Sequence, residues 1–498
     1  MGARRSFGAA VTMIPIEFAS ALNPEADYFY GHQGPWPKPF PGLPDRLPGT
    51  VLDVPEDQAT DYANHILRRY RRLVVGYVPV ALLRTAIAPA LEPMSDAELG
   101  AALGDGLLSR QLNATLDPPD LAAFADILAK LEPGAVTYKL DCSVIERLVA
   151  FDGVYFAPTV TLLRRLDASG TFMPLAIRIR DLVLTPEDGD AWVLAKWFVL
   201  QGAALQSMIC HHPRTHFPMD AIAAVSQSLL PRHHGLFRVL SPHMRFQLPL
   251  NNRVLHSPFS VAHNDQRHLY SCFPGPFLTE SGEGFGAAMT AGYEGIPGNS
   301  SYPPYRYSLE PAPVPSSYGR VLRAYYDVIR AYVAEILEDL SPEDPVIARW
   351  ADSIARWVPG FPDALAIRDR DTWISAVAFF IYDVSVLHAA DHHSTSCHPL
   401  TRYPLRLRVP PPTSKVAPPF RHADLVSRED MFRHRMARKM FFGPPVSFTL
   451  LQDTDSGFDD PRKAGIQRRF RKKLREAAVD LDKSGHIPLR LISCSIQF

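Results

Sequence analysis

The sequence predicts a mainly α-helical protein with one large core and a small β subdomain. Two stretches of more than 20 residues, 192–216 and 373–393, are almost entirely apolar, and runs of that length are typical of buried helices rather than strands. Apolar residues form 46% of the 498-residue chain and are spread evenly along it, which favours a single helical core. Residues 138–180 carry β-branched and aromatic runs between glycines and prolines, a pattern typical of a small sheet.

The domain organisation follows from where these patterns begin and end. Residues 1–52 are predicted to be an irregular leader, because prolines recur through 35–48, and residues 53–498 to be one domain. The segment 53–91 has the apolar spacing of one long helix, which Pro79 is expected to kink or split. The segment 273–318 is rich in Gly, Pro, Ser and Tyr and too long for an ordinary connection. It is therefore predicted to be a lid, an entrance loop or a disordered insert.

Charge and cysteine usage exclude several classes of function. The chain has 52 basic and 52 acidic residues, so electrostatics give no case for a nucleic-acid partner. Five scattered cysteines form neither a disulfide framework nor a zinc spacing, which favours a reducing, cytoplasmic compartment. We find no uninterrupted apolar run of 18 residues and no signal-peptide core. The basic segment 468–477 is most simply a solvated helix face, with a peripheral membrane contact as the alternative.

Histidines lie at the ends of both apolar stretches and predict a metal site. His388 and His392 are four residues apart, which puts both rings on one helical face. His211 and His216 are five apart, about 140° around a regular helix, so they would share a metal only across a π-bulge. His212 and His216 would need no bulge, and Pro213 between them disturbs the helix at this point. The competing interpretation is a cluster of ordinary core or surface histidines.

At these residues the chain resembles the lipoxygenases, a family of non-haem iron dioxygenases. The match rests on a tryptophan and lysine ahead of the first histidine pair and on an Arg-Thr before its second histidine. The matching residues are Trp192, Leu194, Ala195, Lys196, His211, Arg214, Thr215 and His216. Because the family pattern is His-x4-His, the resemblance favours His211 over His212 as the first ligand, and it assigns His388 and His392 as the third and fourth.

Further stretches extend the resemblance over roughly residues 105–498. They are LLSRQLNATLDP at 107–118, FDGVYFAPTVTLLRRLDASGTFMPLAIRI at 151–179, RVPPPTSK at 408–415 and the final CSIQF. In the family the terminal carboxylate is itself a metal ligand, which implies that role for Phe498. No alternating strands of an N-terminal β-barrel domain are found before residue 100, so the resemblance implies a catalytic-domain-only form and a mainly α lipoxygenase-like fold.

The resemblance implies a dioxygenase that inserts O2 into the 1,4-pentadiene of a polyunsaturated fatty acid. Four imidazoles and one carboxylate leave a sixth position for water or hydroxide, a set that suits iron or manganese better than zinc. In the family the metal(III) hydroxide takes a hydrogen atom from the substrate, O2 adds, and a conjugated hydroperoxide forms. His211, His216 and His388 would be its catalytic ligands. A zinc hydrolase is disfavoured because no HExxH motif is present.

Other functions and site residues stay open at this stage. One alternative is a lipoxygenase-like enzyme that acts on a polyene other than a fatty acid, and the other is a noncatalytic lipid-binding homologue. A monomer is expected in each case. In the segment 242–258, Arg253 matches an arginine that pairs with the fatty-acid carboxylate, with an ordinary surface salt bridge as the alternative. Val254 matches a position linked to stereochemistry. Pro258 stands where the family has a leucine over the substrate. Asp391 and His393 are either outer partners of the metal ligands or ordinary helix-end residues.

Overall fold

The computed structural model confirms a mainly α-helical fold with a small sheet. It describes residues 13–15, 29–31, 50–54, 56–89, 91–167, 171–256, 271–277, 279–397, 405–416, 419–444, 446–454 and 456–498. Most described residues outside the sheets lie in helices that enclose two large hydrophobic clusters.

Sixteen α-helices are named here in chain order within the described residues. They are α1 (Glu56–Tyr62), α2 (Arg68–Ala86), α3 (Asp96–Gly104), α4 (Pro118–Ala123), α5 (Ala125–Leu128), α6 (Asp190–Gln206), α7 (His212–Leu229), α8 (Gly235–Met244), α9 (Gln247–His256), α10 (Phe285–Glu294), α11 (Ser317–Ile336), α12 (Pro345–Trp357), α13 (Arg370–Tyr382), α14 (His388–Cys397), α15 (Arg428–Ala437) and α16 (Pro461–Leu481). Four π-helical segments join some of them, namely Ala63–Leu67, Ser207–His211, Asp383–Leu387 and Arg438–Phe442. The 3-10 turns are Leu107–Gln111, Ser143–Arg147, Pro186–Asp188, Ala366–Arg368, His422–Asp424, Asp482–Ser484 and Leu489–Leu491.

The predicted small sheet is confirmed as five antiparallel strands. In chain order, which is also the spatial order, they are β4 (Leu112–Asn113), β5 (Thr137–Asp141), β6 (Thr159–Arg165), β7 (Phe172–Ile179) and β8 (Leu182–Leu184). Lys139 on β5 is fully buried and binds Asp117 at 2.5 Å and Asp120 at 2.7 Å. Because a buried ammonium is costly unless paired, these contacts fix the start of α4 against the sheet.

The N-terminal segment differs from its prediction. Within residues 1–52, predicted to be irregular, the structure has β1 (Met13–Pro15), β2 (Phe29–Gly31) and β3 (Thr50–Asp53), which pair antiparallel in that order. Strands of three or four residues are too short to show an alternating pattern in the sequence. The long helix predicted at 53–91 is found as α1, a π-helical turn and α2, with Pro79 inside α2.

Two long helices form the centre of the molecule. One runs continuously from Asp190 to Leu229 and the other from Arg370 to His393. Both are long and apolar enough to cross a membrane by composition, but 89% and 100% of their most apolar windows are buried inside the protein, as expected of core helices. Helix α7 in the first packs against the π-helical segment Asp383–Leu387 in the second. This packing brings the histidines of the two helices together.

Candidate metal centre

Four imidazoles converge where the two central helices meet. The ligand atoms of His212, His216, His388 and His392 all lie within 4.8 Å of one another, and all four residues are buried. Each pair is four residues apart on its helix, so both rings of a pair lie on the same face. The predicted convergence of histidines from two distant helices is therefore observed.

The first histidine of the group is His212, which corrects the choice of His211. A π-helical segment ends at His211, and the regular helix α7 begins at His212. His212 and His216 are therefore four residues apart on regular helix, and their Nε2 atoms are 2.8 Å apart. His211 lies one residue earlier, about 100° away around the axis, and is not in the group. A π-bulge is present as considered, but it precedes the pair instead of lying within it.

The second central helix repeats this arrangement. Its π-helical segment Asp383–Leu387 ends directly before His388, where regular helix resumes. A π turn rotates the residues that follow it relative to an uninterrupted helix, and such turns are frequent at functional sites. In both helices the wide turn sets the direction in which the histidine pair faces.

His216 is oriented by a chain of buried polar side chains. Its Nδ1 donates to Asn251 Oδ1 at 2.7 Å, and Asn251 Nδ2 donates to Asp220 Oδ1 at 2.7 Å. Gln247 Nε2 also donates to Asp220 Oδ1, at 3.2 Å. Burial raises the pKa of the Asp220 carboxyl well above its usual range. Because Nδ1 carries the proton, the lone pair of His216 is on Nε2, which faces the other imidazoles.

His392 is oriented in the same way by the backbone. Its Nδ1 donates to the carbonyl of Phe441, and since a carbonyl only accepts, the lone pair is again on Nε2. Phe441 belongs to the π-helical segment Arg438–Phe442. A hydrogen bond on the outer ring nitrogen is the usual arrangement for a metal-binding histidine.

His212 faces an ion pair buried beneath the site. Its Nδ1 lies 3.5 Å from Asp391 Oδ2, and Asp391 is paired with Arg110, which reaches it from the 3-10 turn Leu107–Gln111. Burial alone would raise the pKa of the Asp391 carboxyl, but the charge of Arg110 and the contact with His212 lower it, so the net shift is downward. Asp391 is thus a buried carboxylate that lies beside the outer nitrogen of His212 without forming a hydrogen bond to it.

The protonation and hydrogen bonding of the imidazoles favour binding of a metal ion. Burial, followed by the mutual effect of neighbouring rings, lowers the pKa of His216, His388 and His392 well below the ordinary value, so these rings are neutral and hold lone pairs. Neither ring nitrogen of His388 has a hydrogen-bond partner among the residues that the structure describes. An unsatisfied buried polar group costs about 1–3 kcal/mol, which coordination would remove.

The spacing of one pair of ring nitrogens also fits neighbouring ligands of a single ion. With a metal–imidazole bond of about 2.1 Å, neighbouring ligand atoms of one ion lie about 3.0 Å apart and opposite ones about 4.2 Å apart. The 2.8 Å between the Nε2 atoms of His212 and His216 corresponds to neighbouring ligands. These four residues are therefore the ones that would hold a metal.

The C-terminal residue lies against the histidines. The Phe498 ring is buried, with its centroid 5.1 Å from those of both His388 and His392 and 5.4 Å from that of His393. Burial lowers the pKa of His393 to about 4. The Phe498 ring thus packs beside the proposed metal ligands.

An apolar cavity opens onto the imidazoles. It encloses about 740 Å³ of space when the open solvent at its mouth is included. Eleven of its thirteen lining residues are apolar, and the other two are His212 and His216. The segment 273–318 contributes Phe273, Phe277 and Phe285 to the wall. A ligand held here would be mostly apolar, with its reacting part next to the histidines.

The predicted substrate residues have different positions. Val254 on α9 lines the cavity. Arg253, its neighbour, is exposed and is not part of the cavity wall. Pro258 lies outside the residues that the structure describes. Of the two that the structure describes, Val254 is at the cavity and Arg253 is not.

The residues that carry the family resemblance around the first histidine pair have structural contacts. Trp192 Nε1 and Lys196 Nζ bind the same Asp96 Oδ1, at 2.7 and 2.8 Å. Arg214 donates to the carbonyls of Gly292 and Pro303, the latter at 3.0 Å. These residues hold α3 and the 273–318 segment against the helix that carries the site.

Two side chains near the site, Arg110 and Asn251, had no role in the sequence interpretation. Arg110 and Asn251 fall inside stretches that match the family, but nothing in the sequence links them to particular histidines. Asp391 was interpreted either as an outer partner of the metal ligands or as an ordinary helix-end residue. In the structure it is buried beside His212. A buried charged residue within an apolar run was the available signal for Asp391.

The fold and the site define a mainly α-helical protein with a buried four-imidazole centre beneath an apolar cavity. In sequence the chain is similar to curated lipoxygenases, although no protein-family model matches it. It is 24% identical over 375 residues to the mouse (Mus musculus) polyunsaturated fatty acid lipoxygenase ALOX8, covering 68% of this chain and 50% of the mouse protein. It is 23% identical over 414 residues to the human (Homo sapiens) lipoxygenase ALOX15, covering 73% and 58%. The chain therefore spans about half the length of these relatives.

Solved lipoxygenase structures have the same fold. A lipoxygenase variant crystallised anaerobically in complex with arachidonate superposes with a TM-score of 0.74 at 15% identity, covering 97% of this chain and 81% of that one. Coral 8R-lipoxygenase gives 0.68 at 16% identity, covering 97% and 80%. The manganese lipoxygenase of Gaeumannomyces graminis gives 0.62 at 14% identity, covering 95% and 96%. The predicted lipoxygenase-like fold and resemblance are confirmed.

Proposed function

We propose that this protein is a lipoxygenase-type dioxygenase that acts on a polyunsaturated fatty acid. The observation that carries the proposal is the convergence of His212, His216, His388 and His392 at the wall of an apolar cavity. The relatives are polyunsaturated fatty acid lipoxygenases by name, and one structural neighbour holds arachidonate. A polyene chain is the apolar ligand that both observations favour.

The resident ion in this proposal is iron or manganese. When bound, the ion would supply the one-electron oxidant needed to remove a hydrogen atom from the doubly allylic methylene of the substrate, and O2 would then add to the carbon radical. The protein contributes ligands whose tautomers are set by Asn251 and the Phe441 carbonyl. Its phenylalanine-rich cavity wall excludes water from the radical.

The Phe498 carboxylate is proposed as a fifth ligand. Support comes from the position of its ring, which packs against His388 and His392. Appending residues after Phe498 should reduce metal content and activity, because the backbone carboxylate would become an amide. Phe498→Leu is the matched control, since it keeps the carboxylate and removes the ring. An appended protein with full metal content would reject this ligand.

The experiment for the function combines metal analysis with turnover. The purified protein should contain stoichiometric iron or manganese, consume oxygen with a polyunsaturated fatty acid and produce conjugated-diene absorbance in the ultraviolet. His388→Ala should lose both metal and oxygen uptake. A panel that includes polyenes without a carboxylate separates a fatty-acid enzyme from one acting on another apolar polyene. Metal-loaded protein that binds polyenes without consuming oxygen would instead identify a noncatalytic lipid-binding homologue.

A further inference from the structure

Helix α2 exposes an unusual amount of apolar side chain. Twelve large hydrophobic residues are exposed in the described part of the chain, and five of them fall within 75–87, while the others are scattered. These five are Val75, Val80, Leu82, Leu83 and Ile87, with 40% to 76% of each accessible. A cluster of this kind marks an interaction surface more often than chance exposure does.

The exposed residues lie on one face of a firmly held helix. At 100° per residue, Val75, Leu82 and Leu83 fall within an arc of about 100°. Ala81 and Thr85 lie on the opposite side and are buried. Arg428 from α15 donates to the backbone carbonyl of Thr85 at 2.6 Å. The apolar face is therefore the outer side of a docked helix.

The same helix is strongly basic. Its sequence RRYRRLVVGYVPVALLRTA contains five arginines and no acidic residue, although the whole chain has no net charge. Arg68, Arg71 and Arg72 are exposed and continue the apolar face toward the N-terminus of the helix. Exposed Arg438 and Lys439 lie on the π-helical segment that packs against α2. Apolar and cationic side chains thus share one surface.

We propose that this face of α2 docks the protein on an anionic lipid bilayer. Leucine, valine and isoleucine side chains would enter the interface between headgroups and acyl chains, and arginines would pair with lipid phosphates. A second copy of the chain is a poorer occupant, because a two-fold contact through α2 would bring like-charged arginines together with no acidic partner on the helix.

The docking surface is connected to the site. Helix α2 packs against the π-helical segment that contains Phe441, a residue of the cavity wall. The physiological use of docking rests on the proposed function, since an apolar polyene would be drawn from the bilayer. The docking itself is tested independently of turnover.

Vesicle co-sedimentation of the full-length protein tests the proposal. Binding should be strong to phosphatidylcholine vesicles that contain phosphatidylglycerol and weak to phosphatidylcholine alone. Arg71→Gln with Arg72→Gln should weaken binding by about 30-fold. Leu82→Ser with Leu83→Ser should weaken it on the order of tenfold or more. Metal content and activity on dispersed substrate should stay unchanged in both variants.

Matched control variants replace exposed apolar and arginine side chains at positions away from α2. Leu365→Ser with Val479→Ser replaces two exposed apolar residues away from α2, and Arg468→Gln with Arg475→Gln neutralises exposed arginines on α16. Both controls should bind vesicles like the native protein. Equal loss in a control, or unchanged binding of the Leu82→Ser, Leu83→Ser variant, would overturn the proposal.

Two further outcomes would assign the exposed face of α2 to another occupant, and each would also overturn the proposal. One is a native dimer that the leucine substitutions convert to monomer while no form binds vesicles. The other is hydrogen exchange showing α2 already covered by the chain's own residues 1–49 without lipid. If vesicle binding follows α2 but no polyene is oxygenated, docking stands and the proposed function fails.

Discussion

Asn251 Oδ1 accepts a hydrogen bond from His216 Nδ1 at 2.7 Å, and the same side chain donates to Asp220 at 2.7 Å. The amide therefore has a fixed orientation, because its nitrogen is committed to the carboxyl and its oxygen must face the histidine. The ring of His216 is fixed in turn, with its lone pair directed at the other imidazoles. All three residues are buried, so water does not compete for these bonds.

Asn251→Ala should weaken metal binding without unfolding the protein. Loss of an outer hydrogen bond to a metal-binding histidine typically costs about 10- to 100-fold in metal affinity. Metal affinity is measured by competition with a chelator. Asn113→Ala is the control, because Asn113 bonds Ser300 at the edge of the sheet instead. Equal affinities for the Asn251 variant and the native protein would show that the bond is not needed to orient His216.

The two adjacent histidines should behave differently. His212→Ala should lose the metal, because its Nε2 lies in the group. His211→Ala should retain it, since His211 lies on another side of the helix. Burial, with the charges of Arg110 and Arg214, lowers the pKa of His211 to about 3, so its ring is neutral at neutral pH. Metal analysis of the two purified variants decides, and the reverse result would restore His211 as the ligand.

Much of the fold was predictable because its signals are local. The two central helices are apolar over more than 20 residues, and the β region carries β-branched runs between turn residues, so both were found. The short strands β1 to β3 were missed, because pairing of three-residue strands depends on distant partners and leaves no periodic pattern.

The site was predictable only where its signals are local in the sequence. Spacing alone placed His388 and His392 on one face, but it left His211 and His212 as alternatives. The choice depends on where the π-helical segment ends, and that is decided by packing between the helices. The partners Arg110 and Asn251 come from elements 281 and 35 residues distant from their contacts Asp391 and His216, which a single sequence does not reveal.

Arg253 remains a predicted carboxylate-binding residue. It is exposed on α9 next to Val254, which lines the cavity, so a fatty acid entering at this point would meet its guanidinium. Arg253→Ala should raise KM for free fatty acids with little change in kcat, and should leave KM for the corresponding methyl esters unchanged. An equal rise for acids and esters would mean that Arg253 supports the fold and does not bind the carboxylate.

Asp430 should make stability depend on pH in the acid range. Its buried carboxylate pairs with Arg408 at 2.6 Å and Arg406 at 3.4 Å. Burial would raise its pKa, but hydrogen bonds from Arg408 and Ser427 lower it, and the net shift is downward. A carboxylate with such a lowered pKa stabilises the folded protein at pH values above its unfolded pKa of about 4. This stabilisation is lost as the pH falls through the lower folded-state pKa.

Asp430→Asn should therefore cost about 3 kcal/mol near neutral pH, because it leaves buried Arg406 without a counter-charge. The difference between native and variant proteins should begin to shrink below about pH 4, where the carboxyl of the unfolded chain becomes protonated, and should be lost as the pH falls through the lower folded-state pKa. Chemical denaturation over a pH series measures this difference and cancels the titration of other groups. Asp424→Asn, which removes an exposed partner of Arg421, should show no measurable change at any pH. A difference for Asp430→Asn that stays constant from neutral to acid pH would contradict the role of its charge.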